Sequence, residues 1–456
     1  MEFDGLWWLP ERPETRIPGT LAFSPESGVS LDLFGSLKDP GDHVAAVQRE
    51  LADPGVVLGL SSKGKPVTLW ECWERRKTVN LAGPTKTSLR ANFALVGAHL
   101  DGKEEARFEK LSAEYRHLDE WAGISGFTLK IPDDHATYPI VIEHKRPATV
   151  AASVEGARVA VEVKATLRDT SSLVEEAAIV QRTWASVEYP EVRRFEELHE
   201  TLHRLRNFLT LGVGGTVEPL SVRAVTETSE EQPVDIYYRL AGAKGKASPD
   251  KKVHRTEMLF TLDDLGGNLE SFLGNWFGKA ERLGPVYDLY FATAYGSLAY
   301  LDDRFLSLVQ GVEAYHRRAL GTTELPEDEH ERRLEEIVSA VPHAHKGWLR
   351  GKLAYSNEPS LRQRLLEIMH RDPEVMKPIF GSSGKERKGF VNKVVDTRNY
   401  FTHYDESKRG SAATGRQLYE ITEKLKSVLE ACLVREIGLE GDRLKEVLSR
   451  KQRVYF

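Results

Sequence analysis

Six consecutive residues, Arg398-Asn399-Tyr400-Phe401-Thr402-His403, set a guanidinium and an imidazole five positions apart in an otherwise apolar-periodic stretch. Those two groups suit metal-free cleavage of RNA. The strand carries its own nucleophile, the 2′-hydroxyl, so a catalyst has to move protons and steady a crowded phosphate. His403 can do the first and Arg398 the second. On a helix the pair stands about 140° apart around the axis. They therefore flank a groove more readily than they make a compact site in one chain, and a second protomer would complete it.

Spacing alone does not settle the matter. About one R-x4-H match is expected by chance in a chain with this Arg and His usage, and a second one runs from Arg194 to His199. A plain structural role also fits, with Arg398 paired to Asp396 or Asp405 and His403 capping or lining the helix end. Val391, Val395, Asn399 and His403 fall four apart and form one helical stripe, apolar for two turns and then polar.

A competing motif, His199-Glu200-Thr201-Leu202-His203, matches H-E-x-x-H, which puts two imidazoles on one helix face for zinc with Glu200 as base. Read alone it gives a zinc metallopeptidase. The flanking Glu197 and Arg204 are charged, and no third ligand stands out among Glu218, Glu227 and Glu230. The apolar stripe passes through Leu198 and Leu202, so an amphipathic structural helix is the simpler reading. His343 and His345 near Trp348, and the acidic run Glu327-Asp328-Glu329-His330-Glu331, read as solvated helix ends or loops. No G-x-x-x-x-G-K-[ST] loop appears, which argues against ATP-driven action, and no cofactor is called for.

The elements that must position these groups change character along the chain. The first 190 or so residues alternate in short runs, such as Val29–Leu33, Val67–Trp70 and Arg158–Val163, broken by Gly and Pro. Ile17-Pro18-Gly19 and Ala82-Gly83-Pro84 read as turns. Phe195, Leu198, Leu202, Leu205 and Leu209 recur at helical spacing, and strand patterns return at Leu220–Val225 and Val234–Tyr238 before a Gly-, Lys- and Ser-rich loop at Ala243–Lys252. From about Tyr287 strand signals vanish. A long helix through Phe305–Val309 to His316 opens an all-helical region, whose penultimate helix carries Leu418, Ile421, Leu425, Val428 and Cys432 as an a/d-type seam. The expected fold class is α+β multidomain: a β-rich, sandwich- or barrel-like region over 1–285, divisible near 148/149, followed by a helical bundle over 286–456.

Composition narrows the setting. A chain of 456 residues can bury two or three cores. Cys72 and Cys432 alone cannot build a disulfide framework or a Cys-rich zinc site, which suits a reducing cytoplasm. No apolar run approaches the roughly 20 residues of a membrane span, and the start lacks a signal peptide's basic charge. The net charge of -6 hides an asymmetry: residues 346–456 hold 23 Lys plus Arg against 15 Asp plus Glu, an excess of +8, leaving -14 on the rest. A basic end on an acidic body suits local phosphate binding.

Arg-Asn-x-x-x-His late in a helical C-terminal region resembles the signature of HEPN-domain ribonucleases. Gln310–His316 resembles an early helix of such domains, and Tyr355–Leu361 with Arg362-Gln363-Arg364-Leu365 a further segment of one subgroup. Gly5-Leu6-Trp7-Trp8-Leu9-Pro10 with Ile17–Leu21 is similar to the N-terminal domain of the ApeA family of bacterial anti-phage proteins. The resemblance covers essentially the whole chain. It implies a metal-independent endoribonuclease acting as a homodimer across a composite cleft, with Arg398 on the scissile phosphate, His403 as general base or acid and Asn399 orienting them. It further implies cleavage of host RNA such as tRNA during phage infection, leaving 2′,3′-cyclic phosphate and 5′-hydroxyl ends. Glu313 and Tyr400 are weaker supporting residues. The N-terminal region is expected to sense a phage product or to occlude the cleft until infection. A catalytically silent RNA-binding HEPN protein is the remaining alternative.

Overall fold

In the computed structural model the described residues are all but 38–52, 79–84, 103–105, 132–140, 169–176, 226–232, 240–252, 297, 405 and 456. Two compact units form, one of Met1–Arg255 with Phe260–Gly274 and one of Thr256–Leu259 with Asn275–Phe456.

In the first unit, β1 (Glu2–Trp8), β2 (Ile17–Ser24), β3 (Gly28–Leu33), β4 (Gly55–Ser61), β5 (Pro66–Thr78) and β6 (Lys86–Val96) pair antiparallel in the order β1-β2-β3-β6-β5-β4. β4 pairs back onto β1, closing a six-stranded barrel. Closure satisfies the backbone edges that an open sheet would expose. The period-2 alternation seen in the sequence turns Trp7, Leu21, Leu31, Val57, Leu69 and Leu89 into its core. Trp7 is fully buried, and its Nε1–H donates to the Gly19 carbonyl at 3.1 Å.

That contact corrects one expectation. Ile17-Pro18-Gly19 is not a turn but the start of β2, where Leu6 pairs with Pro18 and Gly5 with Gly19. Pro is tolerated at the beginning of a strand. Gly19 is needed for close approach rather than for turning, since a Cβ there would stand 2.6 Å from the Asp32 carbonyl oxygen. The Ala82–Pro84 turn and the Ala243–Lys252 loop lie outside the described residues.

A second antiparallel array runs β10-β11-β12-β7-β13-β14, from β7 (Arg107–Tyr115), β10 (Val150–Val154), β11 (Ala157–Leu167), β12 (Ile179–Arg194), β13 (Pro219–Val225) and β14 (Val234–Tyr238). β14 pairs with residues 93–96 of β6, beyond the stretch at which β3 pairs with it, so β6 belongs to both arrays. β8 (Phe127–Lys130) and β9 (Val141–His144) make a separate two-stranded sheet. The short helix α1 (Leu118–Ala122) and the long α2 (Phe195–Val213) also belong to this unit. α2 packs Phe195, Leu198, Leu202, Leu205 and Leu209 against β7 and β12, on the face that the periodicity indicates.

Among the described residues no strand follows Tyr238, and helices begin earlier than the sequence pattern suggests, with α3 (Leu269–Gly278) and α4 (Ala280–Ala294). Gly274 and Gly278 weaken the local helix signal. Burial of Phe272, Leu273, Trp276 and Phe277 overrides it. There follow α5 (Leu301–Tyr315), α6 (Glu327–Ser339), α7 (His343–Leu353), α8 (Leu361–Arg371), α9 (Pro373–Phe380), α10 (Gly384–His403), α11 (Gly415–Ile437) and α12 (Gly441–Tyr455). α5 is the hub: α4, α8, α10 and α11 all pack against it. Leu418, Ile421, Leu425, Val428 and Cys432 of α11 are all buried, as the seam requires. The acidic run opens α6 and the His343–His345 pair opens α7, both exposed; acidic groups at a helix start favour its positive end.

Candidate nucleic-acid cleavage site

α10 carries the Arg398–His403 motif. Ser383 caps its start, accepting from the Glu386 amide, and Tyr404 ends it in the left-handed conformation (φ 49°) with its amide donating to the Tyr400 carbonyl at 2.6 Å. The helix is anchored just before the motif. Thr397 is fully buried, and its hydroxyl accepts the Ala413 amide at 2.9 Å. Lys393 Nζ donates to the Ser411 carbonyl at 2.8 Å.

The buried face of α10 is Phe390, Val391, Val394 and Thr397, not the expected four-apart stripe. Side chains three and four apart share a helix face, and this set turns Val395 and Asn399 toward an adjoining cleft while His403 is exposed at the carbonyl end. The cleft, roughly 810 Å³, is walled by α5, α8, α10 and the segment before α8. Four arginines line it: Arg317, Arg362, Arg364 and Arg398. Such fork-shaped donors suit phosphate oxygens.

Arg398 is one-third exposed; its Nη1 donates to Asn399 Oδ1 at 3.3 Å and its Nη2 lies 3.8 Å from Glu313 Oε1 on α5. Glu358 holds a second pair of guanidinia, accepting from Arg317 at 2.5 Å and Arg364 at 3.1 Å. Arg364 is fixed further by the Pro359 carbonyl at 2.8 Å and by His316 Nδ1 at 3.2 Å. His316, fully buried, must leave Nδ1 unprotonated to accept that bond, so its Nε2–H donates to Glu367 at 2.8 Å. Arg362 donates to Asn392 of α10.

The structure thus gathers Arg398, Asn399 and Glu313 in one cleft. Tyr400 and His403 are not among its lining residues. Tyr400 packs against Phe401 and Tyr404, with ring centroids 5.4 and 5.9 Å away. His403 has no hydrogen-bond partner among the described residues. Arg398 pairs with Glu313 rather than with Asp396, and Asp405 lies outside the described residues. Residue chemistry alone missed Arg317, Arg362, Arg364 and Glu358. For Glu358, Arg362 and Arg364 the signal lay in the Tyr355–Leu365 segment, where a capping box between Ser360 and Gln363 starts α8.

The His199–His203 motif lies on α2 with a different environment. The His199 ring stacks on Phe195 at 5.2 Å and meets Phe93 and Tyr238 edge-on at 6.0 and 5.1 Å. Burial, then the neighbouring His203 and Arg206, push its pKa down from the usual 6.5 to about 4. Glu200 accepts from Arg204 at 2.6 Å, and Glu218 lies 3.3 Å from Arg116. Glu227 and Glu230 lie outside the described residues. Among the described residues no group of three or more His, Cys, Asp or Glu side chains is placed to hold a metal ion. No described helix is long and apolar enough to cross a membrane.

A family model described as ApeA N-terminal domain 1 matches residues 2–276, and one described as Apea-like HEPN matches residues 306–443. The second match contains α8 and α10 whole, and with them all four cleft arginines. No curated protein and no solved structure matches the chain.

Proposed function

The chain belongs to the ApeA family and carries a HEPN domain, a ribonuclease-type module of anti-phage defence, and on that premise we propose that it is a metal-independent endoribonuclease that cuts host RNA, tRNA foremost. The observation that carries this reading is the placement of Arg398 and Asn399 in a cleft with three further arginines, one turn from an exposed His403 at the end of the same helix.

In the proposed reaction His403 removes the proton of the 2′-hydroxyl and the 2′-oxygen attacks the adjacent phosphorus. The bond to the 5′-oxygen breaks, and that oxygen takes up a proton. Arg398 binds the non-bridging oxygens as charge builds on them, and Asn399 orients its guanidinium. The products carry a 2′,3′-cyclic phosphate and a 5′-hydroxyl. Arg317 and Arg362 hold neighbouring phosphates of the strand, in keeping with the local +8 charge excess.

Arg398 faces the cleft while His403 stands outside its lining, which supports a homodimer in which the α10 helices of two protomers face each other and each site draws on both. Residues 286–456 form the nuclease domain in this reading. The β-rich region restrains it in the cytoplasm until a phage-derived trigger is sensed. Mixing the Arg398→Ala and His403→Ala proteins tests the composite site: heterodimers that recover cutting with cyclic-phosphate ends support it, and a mixture as inactive as its parts places both groups in one protomer.

A further inference from the structure

The residue that follows His403 is out of place for its backbone. Tyr404 ends α10 with φ 49°, in the left-handed conformation that bulky L side chains rarely adopt. Glycine is the usual residue there, because it lacks the Cβ that crowds the following carbonyl. The same chain keeps to that preference elsewhere: α1, α2 and α11 end in the left-handed conformation on Gly123, Gly214 and Gly438.

Burial does not account for the tyrosine. Tyr404 is 65% exposed, and its ring meets Tyr400 edge-on with centroids 5.9 Å apart. Tyr400 in turn meets Phe401 at 5.4 Å, and Phe401 meets Phe305 of the hub helix at 6.3 Å. A row of rings thus braces Tyr404 from the buried Phe305 outward to solvent. Backbone strain of this kind gathers at binding and catalytic sites.

The surface of the helical unit is biased in the same direction. Among the described residues its exposed large hydrophobics are Tyr300, Ile337, Trp348, Tyr355, Tyr404 and Tyr419, all but one of them aromatic. Of these, Tyr404 directly follows the Arg398–His403 motif. Successive Cα atoms stand about 3.8 Å apart, and Tyr400, one turn earlier, shares a helix face with His403. The Tyr404 ring therefore lies within a nucleotide's reach of the imidazole. Unpaired RNA bases stack on aromatic side chains, and they do so whatever their sequence because every base has a π face.

We propose, resting on the ribonuclease reading above, that Tyr404 is the stacking platform for the base of the nucleotide whose 2′-hydroxyl attacks. The stack holds that nucleotide unpaired and sets its ribose against His403. Tyr404 binds substrate in this way and takes no part in the proton transfers. It adds affinity and position rather than a base code.

The test is single-turnover cleavage, by the full-length chain, of a short RNA spanning the cut that the chain makes in tRNA. Beside it runs the same RNA with an abasic ribonucleotide immediately 5′ of the cut, which keeps the 2′-hydroxyl and lacks only the base. Tyr404→Gly should cut the intact RNA about 5- to 100-fold less efficiently, the loss of one base–aromatic stack. Tyr404→Phe and Tyr404→Trp keep a π face and should cut within about threefold of the unaltered chain. On the abasic RNA the unaltered chain and Tyr404→Gly should be equally slow. Tyr404→Gly relieves the left-handed backbone, so its unfolding temperature should be no lower. Undiminished cutting of the intact RNA by Tyr404→Gly, an equal loss on intact and abasic RNA, or a marked fall in its unfolding temperature would overturn the proposal. The His403→Ala protein separates the two claims: normal cutting by it sinks the ribonuclease reading, whereas normal cutting by Tyr404→Gly beside an inactive His403→Ala protein sinks the stacking assignment alone.

Discussion

Arg398 Nη2 stands 3.8 Å from Glu313 Oε1, joining the motif helix to the hub helix across the floor of the arginine-lined cleft. The pair is about one-third exposed on each side, so its strength is modest, on the order of 0.2–1 kcal/mol. Glu313 therefore positions the guanidinium rather than neutralising it. Loss of Arg398 should cost far more than loss of Glu313: Arg398→Ala should lower the single-turnover rate on tRNA by about 10²–10³, and Glu313→Gln by no more than about fivefold. Equal losses would assign Glu313 a part in proton transfer.

Gly59 tests the barrel. A Cβ at this position would stand 2.2 Å from the nearest atom of the Trp7 ring, which is fully buried and tied to Gly19. Overpacking of this kind typically costs about 1–3 kcal/mol. Gly59→Ala should lower the denaturant midpoint of the β-rich unit, followed by tryptophan fluorescence, while Gly102→Ala, with open space around it, should not.

His199 makes stability depend on pH in a defined window. Its folded pKa of about 4 lies below the unfolded value near 6.5, so between those two values the unfolded chain binds a proton that the folded chain does not. Stability then rises with pH through this window, is fully present above about 6.5 and is lost as pH falls toward 4, by about 3 kcal/mol at most. Urea unfolding of His199→Phe should show a shallower loss between pH 6.5 and 4 than the unaltered chain.

Both thiols are buried, and burial pushes Cys432 up to about 12 and Cys72 higher still. Thiolate is the reactive form. A maleimide should label neither in the native protein and both in urea, by mass spectrometry. Rapid native labelling would mean that α11 or β5 opens readily.

The order of β-rich and helical regions was legible in the sequence because period-2 and helical spacing decide burial directly, as Leu31 and Leu425 illustrate. Barrel closure was not, since the β1–β4 and β3–β6 pairings join segments whose contact no local pattern encodes. Ile17-Pro18-Gly19 misled for a related reason: Gly19 serves a close strand approach visible only across the sheet. At the candidate site, Arg398, Asn399 and Glu313 were legible as residues, and the cleft was not. Arg317, Arg362 and Arg364 come from segments 34 or more residues from the motif and meet Arg398 only through the packing of α5, α8 and α10.

The most direct measurement is incubation of labelled total tRNA with the purified chain in excess EDTA, alongside Arg398→Ala and His403→Ala. The unaltered chain should cut, leaving 2′,3′-cyclic phosphate ends, and each variant should lose about 10² or more in rate. Both side chains are at least one-third exposed, so thermal unfolding should be nearly unchanged. Cutting that persists in the His403→Ala protein, or that stops in EDTA and returns with zinc, would contradict the ribonuclease reading.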